Sequence, residues 1–355
     1  MMIFRSKSVL VAVLAVASLA FAVAASGAKK PAPKVTLLHP GTALTALVKK
    51  AQAEGTLNFY TVPPDASVRR VVDAFTKRWN VKATWTRFTT APLQDRFGAE
   101  MGAGTSPADL ILISNSPWFG FAKQKGWIAG PKDVGLPGWP KGKVPALYPR
   151  QFLTNSASAI VQLQPNVIMY NKNVVSASDA PKTWDDLLDP KWKGKIIMVD
   201  PTSSPAYLDL WWAVMKKNGG VSYLEKLRAQ ATRLYAGATP ITQALASGEA
   251  AIAVPGVPSI AAQLIASGAP IGTVIPPTTT GPEAVIGLTV GAKHPNAAKL
   301  FAYFLLTPQG QALLNADPGS VSIWDLKNMP KGYVHVDGNV SGKLAPQIYK
   351  AFGVS

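Results

Sequence analysis

Three adjacent hydroxyl side chains, those of Thr202, Ser203 and Ser204, offer the clearest chemistry in the sequence. The apolar run Lys195–Val199 just before them predicts a buried strand, and Ser204 followed by Pro205 predicts the N-cap and first residue of a helix. Free backbone N–H groups at a helix start, with hydroxyls beside them, favour an anionic or strongly polar ligand atom. The stretch is equally compatible with serines that only cap the helix.

The sequence offers little for covalent or metal catalysis. It contains no cysteine, which excludes disulfides, thiolate metal sites and thiol nucleophiles, and it has neither a G-x-S-x-G nor an H-E-x-x-H motif. The histidines His39, His294 and His335 are far apart along the chain. Because a hydrolase would also need a base near Ser204, which the sequence does not supply, we predict that the protein is not an enzyme.

The basic composition could indicate a nucleic-acid or membrane partner, since the net charge is +17. The basic residues nevertheless occur in ones and twos, as in Lys49-Lys50 and Lys77-Arg78, and not in the runs expected of a basic arm. The segment GLPGWPKGK resembles a phosphate-binding loop only superficially, because it lacks the Walker spacing. We therefore predict a solvated basic surface and no nucleic-acid partner.

The N-terminal residues 1–28 have the pattern of a secretory signal peptide. A basic start at Arg5 precedes an uncharged apolar run, Val9–Ala25, and cleavage after Ala24 fits the A-x-A rule, with a second candidate site ending at Ala28. A retained membrane anchor is the alternative. We predict an exported, periplasmic protein without a lipid-modified cysteine.

Strand-like and helix-like segments alternate along the rest of the chain. A strand at Leu57–Tyr60, a helix beginning at Asp65 and a strand at Val81–Arg87 make one β-α-β unit. Consecutive units of this kind build a mostly parallel sheet. With 355 residues and 48% hydrophobic content, the sequence predicts an α/β protein of about two domains.

Several predicted strands are followed by a polar or proline-containing turn and then a helix. Asp65, Ser116, Ser204 and Ser259 are the predicted helix starts at these places. In open α/β sheets, ligands bind outside the carboxyl ends of the strands, where such turns gather. The turns are therefore candidate pocket walls, although each is also an ordinary α/β connection.

The chain resembles the iron(III)-type extracellular solute-binding proteins of ABC transporters in several motifs, namely TLNFYTVPPDASVRRVVDAF, GTSPADLILISN, VIMYNK, TWDDLLDPKWKGKIIMVDP, ALASGEAAIAVPG and GAKHPNAAKLFAYFLLTPQGQALL. The match covers most of Leu57–Leu314. It implies a type II periplasmic binding fold, in which two α/β lobes joined by two crossover strands close on a solute. It also implies docking onto a membrane permease.

The resemblance predicts the domain organisation. A linker and N-terminal helix, 29–51, would precede a first lobe made of 52–153 and 270–314. The second lobe would be 154–269, and the tail 315–355 would pack on the lobes. We expect the protein to act as a monomer.

The sequence departs from the family at the iron ligands. Members that bind a bare ferric ion use a histidine after the first strand, a glutamate after the third and a tyrosine pair later. Here those places hold Thr61-Val62-Pro63-Pro64, Ser114-Asn115 and Pro258-Ser259. Because Fe(III) prefers anionic oxygen donors, we predict neither a metal site nor a cofactor, with ferric ion or a ferric complex as the alternative ligand.

Neutral hydrogen-bonding side chains stand in place of the iron ligands. The candidate ligand-binding residues are Thr61, Ser114, Asn115, Gln164, Asn166, Thr202, Ser203, Ser204, Tyr207, Ser259 and Glu283. We predict a small organic solute with a carboxylate, phosphonate or phosphate end, bound at Thr202–Ser204 and covered by Trp118 or Tyr207. The alternatives are a cationic solute held by Asp65, Asp200 and Glu283, and a periplasmic sensor that signals to a receptor.

Overall fold

The computed structural model describes residues 41–106, 108–114, 117–139, 153–154, 158–336 and 338–354. The predicted signal peptide, Asn115 and Ser116 lie outside the described residues, so what was predicted for them stays a prediction. None of the described helices is both long enough and apolar enough to cross a membrane.

Strands and helices alternate in the described residues. The strands are β1 (Thr56–Thr61), β2 (Lys82–Arg87), β3 (Leu110–Ser114), β4 (Ile128–Ala129), β5 (Leu153–Thr154), β6 (Ser158–Leu163), β7 (Val167–Asn171), β8 (Ile196–Val199), β9 (Ala231–Tyr235), β10 (Ile252–Gly256), β11 (Ile271–Val274) and β12 (Glu283–Thr289). The helices are α1 (Gly41–Glu54), α2 (Asp65–Trp79), α3 (Thr90–Gly102), α4 (Pro117–Gln124), α5 (Pro131–Val134), α6 (Pro205–Lys217), α7 (Val221–Gln230), α8 (Ala238–Ala246), α9 (Pro258–Ala266), α10 (Pro295–Leu306), α11 (Pro308–Leu314), α12 (Gly338–Ser341) and α13 (Ala345–Phe352). Short 3-10 helices lie at Asp185–Leu188, Pro190–Trp192, Pro201–Ser203, Leu326–Asn328 and Gly342–Leu344.

The first sheet has the strand order β2-β1-β3-β12-β6-β5, and β4 pairs with β12. β1 runs parallel to β2 and β3, with Phe59 opposite both Trp85 and Leu110. β12 is antiparallel to β3 and to β6. Every residue of β3 and β12 is buried, as expected for central strands that are covered on both faces.

The second sheet has the order β11-β7-β10-β8-β9. β10, β8 and β9 are parallel, and β7 is antiparallel to β10 and β11. The apolar runs IIMV of β8 and IAVPG of β10 are buried throughout. The two sheets define a first and a second lobe, and the predicted α/β class is confirmed.

Within the described residues, the chain passes from one sheet to the other twice, at residues 164–166 and 275–282. The two crossing segments are bonded to each other: the N–H of Gln164 donates to the carbonyl of Pro282 at 3.0 Å, and that of Asn166 to Thr280 at 2.8 Å. The structure thus places β6 in the first sheet and β11 in the second, whereas the lobe limits at 153 and 269 put each in the other lobe. The sequence of an extended apolar run does not indicate which of the two sheets the strand will join.

Two hydrophobic cores stabilise the lobes, and the C-terminal tail contributes to both. Phe59, Phe75 and Phe301 belong to the first core, which also takes up Ile323 of the tail. Phe352 belongs to the second core, where its ring lies 5.3 Å from that of Trp211. Burial of large apolar side chains is the main favourable term in folding, so the tail helps to stabilise both lobes.

Two local features differ from the sequence prediction. The strand β9 was not predicted, because its residues ATRLY are half-buried or exposed at the edge of the sheet and give no apolar run. Of the predicted helix starts within the described residues, Ser204 is the N-cap of α6 and Asp65 is the first residue of α2. Ser259 is the second residue of α9, which begins one residue earlier, at Pro258.

Candidate ligand-binding cleft

A cleft with a volume of about 650 Å³, open solvent at its mouth included, is lined by both lobes. The first lobe contributes the segments that follow β1 and β2 and the end of β3. The second lobe contributes the segments that follow β8, β9 and β10. These are the carboxyl ends of parallel strands, where α/β sheets bind their ligands, so we take this cleft as the candidate site.

Helix N-termini surround the cleft. The N-cap residues of α2, α3, α6, α8 and α9 all line it, and they are Pro64, Thr89, Ser204, Gly237 and Val257. Ser204 caps its helix with its side chain, whose Oγ accepts from the N–H of Ala206 at 3.4 Å. The other N-caps make no side-chain capping bond. Since the first N–H groups of a helix lack intrahelical partners and carry partial positive charge, this wall favours an anion.

Arg87 adds a full positive charge to the same wall. It ends β2, and its Nε donates a hydrogen bond to the carbonyl of Val62 at 3.2 Å. Burial lowers the pKa of Arg87, and the negative charge of Asp65 acts in the opposite direction. An arginine stays protonated in proteins. No Asp or Glu is found among the described lining residues, so Arg87 is their sole full charge.

Buried polar groups of the cleft lack partners within the described residues. Ser259 is fully buried, and its Oγ makes no hydrogen bond. The Oε1 of Gln164 is likewise unpaired, although its Nε2 donates to the Oγ of Ser320 at 3.0 Å. Ser114 accepts from the hydroxyl of Thr90 at 3.1 Å. An unpaired buried polar group costs about 1–3 kcal/mol, so these positions are suited to hydrogen bonds with a ligand.

The hydroxyls near α6 are neutral. Burial raises the pKa of Tyr207 well above its ordinary value, against a backbone hydrogen bond from Ala238, so the phenol stays protonated. Ser203 donates its hydroxyl to the carbonyl of Asp200 at 2.7 Å. Tyr207 can therefore donate a hydrogen bond to a bound oxygen.

The cleft brings together part of the predicted set: Ser114, Gln164, Ser203, Ser204, Tyr207 and Ser259. Thr202 does not line it, because its side chain is exposed and its Oγ1 donates to Asp200 at 2.7 Å. Thr61 and Asn166 are fully buried but also lie outside the lining. Asn115 lies outside the described residues.

Glu283 and Trp118 lie outside the cleft as well. The carboxylate of Glu283 borders a separate small cavity, accepts from the hydroxyl of Tyr333 at 2.5 Å and lies 2.9 Å from Nδ1 of His335. Its partners Tyr333 and His335 come from the tail, and no signal in the sequence indicated that the tail would lie beside Glu283. The ring of Trp118 packs edge-on against Phe97 at 6.1 Å, as a core side chain does. Neither residue is thus positioned to contact a solute in the cleft.

Sequence reasoning missed Arg87, the most informative side chain of the cleft. The dispersed basic residues were all interpreted as solvent-exposed surface residues, and Arg87 was noted only as the last residue of a predicted strand. A usable signal was present: Arg87 is a lone cation at the carboxyl end of a parallel strand, followed by Thr89 and Thr90 at a helix start. That edge is where ligands bind, so a cation there differs from one on a helix face.

The donor set for a metal can be assessed over the part of the chain that the structure describes. It contains no group of three His, Cys, Asp or Glu side chains that could hold a metal ion. The polar lining of the cleft consists of hydroxyls, amides and one guanidinium. This set suits an anion better than a hard metal cation.

Comparisons with known proteins agree with this geometry. Residues 57–317 match the family model described as bacterial extracellular solute-binding protein. The chain is 25% identical over 220 residues to an Fe(3+)-binding periplasmic protein of Serratia marcescens, which covers 61% of each chain. The crystal structure of the substrate-binding protein of an ABC transporter from Agrobacterium tumefaciens has a TM-score of 0.69 at 17% identity, covering 84% of this chain and 94% of that one. The periplasmic binding protein AfuA from Actinobacillus pleuropneumoniae, solved with fructose-6-phosphate, has a TM-score of 0.64 at 18% identity, covering 85% and 99%.

Proposed function

Because this chain belongs to the bacterial extracellular solute-binding proteins, the substrate-binding components of ABC transporters, we propose that it captures a small organic anion between its two lobes and delivers it to a membrane permease. Proteins of this family bind small solutes outside the cytoplasm and are transport proteins rather than enzymes. For this chain we propose export by the signal peptide at residues 1–28, action as a monomer and no cofactor.

The observation that carries the proposal is the charge of the cleft wall. Arg87 lies there together with helix starts whose N-caps leave backbone N–H groups without side-chain acceptors. The described lining contains no carboxylate to oppose an anion. A guanidinium beside several helix N-termini is well suited to a carboxylate, phosphonate or phosphate, which can accept from both kinds of donor.

Capture by lobe closure is supported by the connections between the sheets. In the described residues the chain passes from one sheet to the other at the crossing segments 164–166 and 275–282, which lie side by side, and the C-terminal tail also packs on both lobes. Gln164 and Pro282, which belong to the crossing segments, line the cleft. A small change in the dihedral angles of adjacent segments can move whole lobes, as in hinge closure around a ligand. We propose that closure surrounds the anion with donors from both lobes.

A ferric ion is the competing cargo, because a relative is named as an Fe(3+)-binding protein. In this chain the cleft offers one tyrosine, Tyr207, and no carboxylate among its described lining residues. A bare cation would also lie against Arg87 and the positive ends of helices. The cationic-solute alternative is weakened in the same way, because none of Asp65, Asp200 and Glu283 lines the cleft.

Mass spectrometry of the solute that co-purifies with the native protein tests the proposal, followed by calorimetry with the anion found. Substitution Arg87→Gln should weaken that binding at least tenfold, because it removes the charge that faces the anion. Lys82→Gln is the matched control, since Lys82 lies at the other end of the same strand and is exposed. Co-purified iron, a cationic solute, or equal affinity of the Arg87→Gln and Lys82→Gln variants would contradict the proposal.

A further inference from the structure

A second groove opens beside the cleft and is lined by the start of α2 and by α8 and α9. Its volume is about 440 Å³, open solvent at its mouth included. We call it the outer groove, and it shares with the cleft Pro64, Arg87, Thr239 and Ile260. Because these residues line both spaces, the cleft and the outer groove are adjacent, and Arg87 lies at their junction.

The outer groove differs from the cleft because its lining contains a carboxylate in addition to Arg87. It is lined by Asp65, whose Oδ1 accepts from the indole N–H of Trp85 at 2.7 Å. The Oδ2 of Asp65 makes no further hydrogen bond to the described residues. Gln243 and Gln263 add amide groups to the lining, and the Nε2 of Gln263 is buried without a partner in the same part of the chain. A carboxylate flanked by amides favours a cationic group with several N–H donors.

Asp65 also limits which anions the cleft can hold. In the described structure its negative charge acts on Arg87 across the junction. An anion bound to Arg87 would lie near the carboxylate of Asp65. The two negative charges would repel each other, which is unfavourable. A positively charged group in the outer groove would offset the repulsion. Asp65 therefore disfavours simple anions and favours solutes that carry a cation of their own.

We infer that the solute is zwitterionic, with its anionic group in the cleft at Arg87 and an ammonium group in the outer groove at Asp65. The inference rests on the proposed function, because it assumes that an anion occupies the cleft. It makes Asp65 the residue that selects among anions. The solute class is an amino-phosphonate, amino-phosphate or amino-carboxylate whose two charged ends are separated by a short chain.

Two pairs of probes test the inference by calorimetry. The first pair is 3-aminopropylphosphonate and propylphosphonate, and the second is 4-aminobutyrate and butyrate. The members of each pair differ in the ammonium group alone. In at least one pair the ammonium-bearing member should bind at least tenfold more tightly. Asp65→Asn should bring that ratio close to one, because asparagine keeps an acceptor for Trp85 and removes the charge.

Asp73→Asn is the matched control. Asp73 lies on the same helix, is exposed and lines neither space, so the ratio should remain as in the unsubstituted protein. Equal affinities within both pairs would overturn the zwitterion inference while leaving anion binding intact. So would a ratio that survives Asp65→Asn. Failure of all four probes to bind would overturn the inference, because it assigns this class of solute, whereas the proposed function is tested separately by the solute that co-purifies.

Discussion

Arg87 Nε donates a hydrogen bond to the backbone carbonyl of Val62 at 3.2 Å. This bond links the end of β2 to the residue that follows β1, and both residues line the cleft. One of the guanidinium N–H groups thus holds the side chain in place. The terminal N–H groups make no hydrogen bond to the described residues and are available to an anion. The hydrogen bond between Arg87 and Val62 therefore explains how a flexible side chain can hold its guanidinium in one position in the cleft.

The Arg87–Val62 bond predicts that lysine cannot replace arginine. Arg87→Lys keeps the charge, but its single ammonium cannot hold the Val62 carbonyl and also bind an anion through two parallel N–H groups. We expect anion affinity to fall about tenfold, less than for Arg87→Gln, which loses the charge as well. Calorimetry with the co-purified anion measures both. Equal affinities of the arginine and lysine proteins would show that charge alone matters.

Two substitutions of Ser204 distinguish its role in helix capping from its role in ligand binding. Ser204→Ala should lower the free energy of unfolding by about 1 kcal/mol, because α6 loses its side-chain cap. Ser204→Asp should retain most of the stability, since aspartate is also a good N-cap and is favourable at a helix start. The added negative charge should nevertheless abolish anion binding. Urea unfolding and calorimetry on the two variants test this pattern, and anion binding by Ser204→Asp would contradict it.

Ser259 should affect stability and binding in opposite directions. Its Oγ is buried and unpaired within the described residues, so Ser259→Ala should leave the free energy of unfolding unchanged or raise it by up to about 1 kcal/mol. Affinity for the anion should fall about tenfold with the loss of one charge-assisted hydrogen bond. Both quantities can be measured on one preparation, by urea unfolding and by calorimetry.

Ser67→Ala is the control for Ser259. Ser67 is as fully buried, but its Oγ donates to the carboxylate of Asp317 at 2.5 Å, away from the cleft. Its substitution should lower the free energy of unfolding by about 1–3 kcal/mol and leave anion affinity unchanged. If Ser259→Ala behaved like Ser67→Ala, the hydroxyl of Ser259 would have a structural role and no role in binding.

Local pattern and family resemblance were enough to predict the architecture. The run Lys195–Val199 and the Ser204-Pro205 pair predicted β8 and the capped start of α6 because strand and helix signals are local. The predicted lobe limits at 153 and 269 differ from those of the sheets, and β9 was not predicted, since the choice of sheet depends on contacts distant in sequence. The same limit applies to the site. Ser259 was predicted as a ligand residue through its strand-end turn, whereas Glu283 could not be assigned to the tail without knowing where Tyr333 lies.

The acid dependence of stability should include a contribution from Asp186. Burial acts to raise the pKa of Asp186, but hydrogen bonds from the N–H groups of Lys182 and Thr183, at 2.8 and 2.9 Å, outweigh it and lower the pKa. A lowered folded-state pKa means stability that is present above the unfolded value of about 3.9 and is lost as the pH falls through the folded value. Asp186→Asn should be less stable than the unsubstituted protein at pH 7, and the difference should shrink toward pH 2. Urea unfolding at a series of pH values measures it, and a difference that does not vary with pH would refute the assignment.

Gly281 should be indispensable to the connection between the lobes. A Cβ at this position would lie 1.7 Å from the carbonyl oxygen of Gln164 and 3.1 Å from the nitrogen of Asn166, in the other crossing segment. Gly281→Ala must therefore push the two segments apart and weaken the bonds from Gln164 and Asn166 to Pro282 and Thr280. We expect the free energy of unfolding to fall by about 2 kcal/mol or more. Anion affinity should also fall, because the lobes would no longer close in register.

The control for Gly281 is Gly102→Ala. A Cβ at Gly102 meets nothing within 4 Å, and this residue lies in the last turn of α3. Alanine should be neutral there or stabilise the helix by up to about 1 kcal/mol, because glycine is the poorer helix former. Urea unfolding compares the two glycine variants, and calorimetry compares their affinities. If Gly281→Ala were as stable as Gly102→Ala, the crossing segments would have room to separate, and their side-by-side pairing would not determine how the lobes are held.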